Sequence, residues 1–87
     1  MATVAVRHHV KDFNTWRAAY DAHGTVRQQL GCTGDTVLRE EQDANQVLII
    51  TEWPTLDAAH AFVSDPELPE VMKRAGVEGA PRIEVYA

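Results

Sequence analysis

Apolar side chains recur at every second position near the start of the chain. In TVAVRHHV, residues 3–10, Val4, Val6, His8 and Val10 share one side of an extended strand, and Ala5, Arg7 and His9 share the other. After that the period lengthens. Wound at about 100° per residue, Phe13, Trp16, Tyr20, His23 and Arg27 fall on one arc together with Ala19, Val26 and Leu30. Asp12 suits the N-cap of this helix and Gly31 its stop, so the pattern predicts helix to about Leu30. Gly34-Asp35 turns the chain into a second strand near Thr36 to Gln42, and Asp43-Ala44-Asn45 forms a hairpin loop into a third, Gln46 to Trp53. The centre of that third strand is apolar on both faces, the mark of an interior strand covered from both sides. Thr55 caps a short helix that runs through about Ser64 and places Leu56, Ala59, His60 and Val63 on one arc. Asp65-Pro66 interrupts it, and a further helical segment, Glu67 to Ala75, closes at Gly76. In the final segment EGAPRIEVYA, Ile83 and Val85 alternate with Arg82, Glu84 and Tyr86 as in a strand.

The resulting order, β-α-β-β-α-β, predicts an α+β, ferredoxin-like fold: a four-stranded antiparallel sheet with helices on one face. An apolar third strand then leaves the other sheet face in need of a cover, and in so short a chain a second copy is the simplest one. A homodimer through the open face is therefore expected. A length of 87 residues, 45% of them hydrophobic and 24% charged, suits a single domain spanning 1–87.

Charge and composition narrow the chemistry. Thirteen acidic residues against eight scattered basic ones give a net charge of −5, which disfavours nucleic-acid binding. No apolar run is long enough to span a bilayer, and MATVAVRHHV lacks the basic region and hydrophobic core of a secretion signal, so a cytoplasmic protein is expected, without membrane partners. The single Cys32 cannot form an internal disulfide, no Cys/His spacing suggests a metal site, and no glycine-rich phosphate loop suggests a nucleotide. No cofactor is indicated.

Candidate chemistry lies where ionisable groups sit among apolar ones. If the first strand and both helical arcs face one space, then His8, His23, Arg27 and His60 converge there, beside an aromatic wall of Trp16 and Tyr20. Each of these has a plainer reading as well: histidines bonded to backbone, aromatics in the core, an arginine whose head reaches solvent. Their coincidence on one side carries the functional reading. Trp53 at the end of the third strand and Arg39 one strand away are further ligand contacts, Arg39 for an anion or as a partner of Glu52 or Glu41.

Taken together, HHVKDFNTW, the helix with His23 and Arg27 before Gly31, the stretch TEWPTLDAAHAF and the tail MKRAGVEGAPRIEV resemble the dimeric α+β barrel superfamily, near its antibiotic-biosynthesis-monooxygenase domains. That resemblance implies a homodimer with one pocket per protomer between sheet and helices. It also implies a choice among cofactor-free oxygenases, cyclases, haem-degrading enzymes and proteins without assigned activity. The leading expectation is a cofactor-independent monooxygenase or polyketide cyclase acting on a small aromatic or polyketide-like molecule. In it His8 or His23 removes a proton, Arg27 stabilises the anion, and Trp16, Tyr20, His60, Trp53 and Arg39 hold the substrate. A non-catalytic dimer that binds a small apolar ligand or supports stress tolerance is the alternative. A haem-binding or haem-degrading protein is the third, with Trp53 and His60 as its Trp and His pairing and His8 or His9 where that branch has an Asn.

Overall fold

The computed structural model describes residues 1–87 as four strands and four helices: β1 Ala2–Val10, α1 Phe13–Ala22, α2 Gly24–Gln29, β2 Gly34–Arg39, β3 Gln46–Trp53, α3 Leu56–Val63, α4 Leu68–Arg74 and β4 Val77–Tyr86. The strands form one antiparallel sheet in the order β2-β3-β1-β4. This is the expected ferredoxin-like arrangement. The β1–β3 register sets Val4 opposite Thr51, Val6 opposite Ile49 and His8 opposite Val47, so all six point to the helix-bearing face. Burial follows this alternation along both strands: Val4, Val10, Val47 and Trp53 are fully enclosed, and the residues that point to the other face are partly covered or, at Arg7, exposed.

The opposite face carries Ala5, Thr36, Leu38, Leu48 and Ile50 at its centre, with Leu38 48% exposed. Polar residues flank them: Thr3 donates to Glu52 at 2.8 Å, and His9 bridges Asp43 and Glu78 at the opposite end of β1.

The long first helix of the sequence reading is two helices. Asp12 does cap its start, accepting from the Thr15 amide at 2.9 Å. The chain then bends at His23 (φ −88°, ψ 3°), where a conformation outside the helical region and the following Gly24 interrupt the α-helical run. The bend turns Arg27 inward and Val26 and Leu30 outward, leaving those two 38% and 39% exposed instead of on the core arc. Gly31 (φ +106°) and Gly76 (φ +91°) end α2 and α4 in left-handed conformations that favour glycine. The second strand is displaced from Thr36–Gln42 to Gly34–Arg39, so Gly34 and Asp35 pair with β3 as strand instead of forming the turn.

The β1–β4 pairing is irregular between Arg7 and His9: Arg7 pairs with Arg82, whereas His9 pairs with Glu78. His8 lies at this bulge, opposite the part of β4 that holds Pro81, which has no amide hydrogen for a ladder bond.

Candidate active site

A small cavity of about 70 Å³ lies between the sheet and the helices. Val6, His8 and Ile49 form its floor, and Trp16, Tyr20, His23 and Arg27 form its wall on the side of α1 and α2. Period-two alternation brings His8 here from β1. Helical spacing brings Trp16 and Tyr20 from α1, and the bend at His23 brings the last two.

His8 is 5% exposed, and its Nδ1 is the one buried side-chain nitrogen or oxygen in the chain without a hydrogen-bond partner. Burial lowers its pKa below the ordinary histidine value, opposed by the backbone carbonyl of His8 itself, so the imidazole is neutral at pH 7. Its ring meets Trp16 edge-on at 5.6 Å. A neutral imidazole always keeps one ring nitrogen bare of a proton, and in this apolar cavity that nitrogen is a proton acceptor.

Next to it runs a column of stacked groups. Phe13 and Trp16 lie 5.7 Å apart, Trp16 and Tyr20 5.0 Å, and the Arg27 guanidinium carbon sits 3.6 Å from the Tyr20 ring centroid. Arg27 is 8% exposed, yet it forms no salt bridge and no side-chain hydrogen bond, so the aromatic face is its attractive contact. The Tyr20 hydroxyl donates to Asp35 Oδ2 at 2.7 Å, and burial, then this bond, pushes its pKa far up. Tyr20 is therefore a fixed neutral wall, not an acid or base.

Three expected contacts lie elsewhere. His60 is exposed: α3 is rotated so that Ala59 and Phe62 are its buried residues, and Phe62 stacks on Trp53 at 4.7 Å. Trp53 is a core residue, fully enclosed, its Nε1–H donating to Thr51 Oγ1 at 2.9 Å. Arg39 donates to the Ala44 carbonyl at 2.9 Å and covers the Phe13 ring at 3.8 Å, pairing with neither Glu52 nor Glu41. Trp53 is thus enclosed in the core while His60 lies at the surface.

In exchange, α4 supplies Leu68, Val71, Met72 and Ala75, a wall that the sequence reading left out. Their i, i+3, i+4, i+7 spacing is a legible signal for a helix face turned to the core. No cluster of three or more His, Cys, Asp or Glu side chains could hold a metal ion, and no helix is long and apolar enough to cross a membrane.

A β-α-β-β-α-β sheet covered by helices on one face, with a histidine-bearing cavity beneath them, defines the class: an α+β protein of the dimeric α+β barrel type. Within that class the chain belongs to the antibiotic biosynthesis monooxygenase family, whose profile matches residues 3–74. Members of that family are typically dimeric. Among solved structures it is similar to SnoaB, a cofactor-independent oxygenase from Streptomyces nogalater, with a TM-score of 0.77 at 18% identity, covering 99% of this chain and 90% of that one. It is also similar to Rv0793 from Mycobacterium tuberculosis, with a TM-score of 0.73 at 14% identity over 99% and 92% of the two chains. A conserved protein from Methanosarcina mazei Go1 has a TM-score of 0.66 at 13% identity over 98% and 89%. At these identities the likeness is one of fold. No curated protein matches the chain.

Proposed function

We propose that this protein is a cofactor-independent enzyme that deprotonates a small aromatic or polyketide-like molecule and passes the anion to dioxygen or to ring closure. The observation that carries this reading is the unpartnered Nδ1 of His8, held neutral by burial in a cavity walled by Trp16, Tyr20 and Arg27. His8 takes a proton from a phenol or an activated C–H, and the uncommitted Arg27 charge offsets the developing oxyanion. In the oxygenase branch, the carbanion gives its electron pair to dioxygen and the peroxide takes the proton back from His8. Loss of water then leaves a ketone, so a CH₂ becomes C=O with one oxygen atom retained. In the cyclase branch, the carbanion attacks a carbonyl and the proton returns to the alkoxide. The likeness to a cofactor-independent oxygenase favours the first branch.

Dioxygen uptake with anthrones and hydroquinones tests this directly. Wild-type uptake is expected, with kcat lowered about 10²- to 10⁴-fold in His8→Ala, the span of a general-base contribution. His23→Ala is the comparison, since His23 shares the cavity. Because His8 titrates below the ordinary value of about 6.5, activity is expected to hold through neutral pH and fall only on the acid side of it. Uptake unchanged in His8→Ala transfers the base role away from His8. No uptake from any substrate ends the oxygenase branch and leaves the cyclase and the ligand-binding dimer.

The same reading includes a homodimer through the open sheet face. Leu38, Leu48 and Ile50 form an apolar centre there, rimmed by polar residues, as association surfaces are.

A further inference from the structure

At about 70 Å³ the cavity beside His8 is smaller than the roughly 150 Å³ engineered cavity that holds benzene. A ligand ring enters only if a wall moves. The floor belongs to the central strands β1 and β3, and one side is the stacked column of Trp16, Tyr20 and Arg27. Phe62 is held against Trp53. The remaining wall is α4 alone. This seven-residue helix has no side-chain cap at Glu67 and is bounded by Asp65-Pro66 and by Gly76, whose φ of +91° marks a sharp change of direction.

Behind α4, between it and β4, lies a second hollow of about 420 Å³, bordered by Val63, Pro69, Val77, Pro81 and Ile83. Leu68 and Met72 border both spaces. We propose that these two side chains are a movable partition, and that the hollow behind them is a subsite for the flat apolar remainder of a multi-ring ligand whose reacting ring lies beside His8. This inference rests on the reading of the His8 cavity as the ligand site.

Met72 suits the role because an unbranched thioether with three rotatable bonds changes shape at low cost. With Met72 swung aside, the joined space reaches the roughly 300–1,000 Å³ of small-molecule pockets. Lys73 at the margin of the hollow favours an acidic substituent on the outermost ring. Met72 is thus a specificity-determining residue: a small shift of its side chain admits one ring, and a full swing into the hollow admits fused rings.

The test measures binding of two probes that do not consume dioxygen, phenol with one ring and anthraquinone sulfonate with three, by calorimetry and by the NMR signal of the Met72 methyl group. Ile83→Trp narrows the hollow from β4 without lining the His8 cavity. It is expected to weaken anthraquinone sulfonate at least about tenfold while phenol stays within about twofold. Met72→Ala, which joins the two spaces, is expected to strengthen the three-ring probe several-fold relative to phenol. Equal losses for both probes, or wild-type protein that does not bind anthraquinone sulfonate, overturn the partition. Discrimination that persists without any dioxygen uptake upholds the partition and rejects the oxygenase. Uptake that persists without discrimination rejects the partition alone.

Discussion

Alternation along β1 sends His8 into the cavity and His9 to the open face, and their pKa values shift in opposite directions. Hydrogen bonds to Glu78 at 2.9 Å and Asp43 at 3.1 Å raise the His9 pKa, the Glu78 bond foremost. Its contribution to stability is therefore complete below about 6.5 and fades as pH rises through the raised folded value. His8 is the reverse. Its folded pKa is lowered by burial, so protonation disfavours the fold, and stability declines as pH falls below about 6.5 toward that lowered value. Urea midpoints measured between about pH 5 and 8 are expected to show both limbs. His9→Ala should flatten the alkaline one, and His8→Gln the acid one. Unchanged profiles would contradict the two environments described.

At the scale of elements, α3 teaches how a helix chooses its buried face. Leu56, Ala59, His60 and Val63 read as an arc, but the stack of Phe62 on Trp53 sets the rotation and carries His60 to the surface. Phe62 contributes far more apolar area than an imidazole, so its burial decides the outcome. Thermal or urea unfolding checks this: Trp53→Ala is expected to cost roughly 3–5 kcal/mol, including the stranded Thr51 hydroxyl. His60→Ala should stay within about 0.5 kcal/mol, as exposed substitutions do. Comparable losses for the two would mean that His60, not Phe62, packs on the sheet.

At the scale of the whole molecule, the open face of the sheet carries an apolar centre of Leu38, Leu48 and Ile50 that no helix covers. Charges placed there test the proposed homodimer without entering the His8 cavity. Leu38→Lys combined with Ile50→Lys is expected to shift sedimentation from dimer to monomer at micromolar concentration while the far-ultraviolet circular dichroism of the fold is retained. The two lie diagonally across β2 and β3, Leu38 opposite Leu48 and Ile50 opposite Thr36, so two like charges oppose a self-complementary contact twice over. A wild-type monomer at the same concentration would remove the dimer from the reading.

Period and punctuation determined most of the fold. The two-residue alternation of β1, the apolar run of β3, Asp12 and Thr55 as caps, and Gly31 and Gly76 as stops are local signals, each arising from backbone geometry within a few residues. They also placed His8, Trp16, Tyr20, His23 and Arg27 on one side of the sheet, where the cavity is. The tertiary structure alone decided what depends on contacts between distant segments. Trp53 became core because Phe62 stacks on it, and Arg39 was drawn to Phe13 and the Ala44 carbonyl. The β1–β4 register shift set His8 at a bulge, and α4 arrived as the fourth wall. No periodicity within one element can report which partner another element presents, and that is why the ionisable side of the cavity was legible in the chain while its movable side was not.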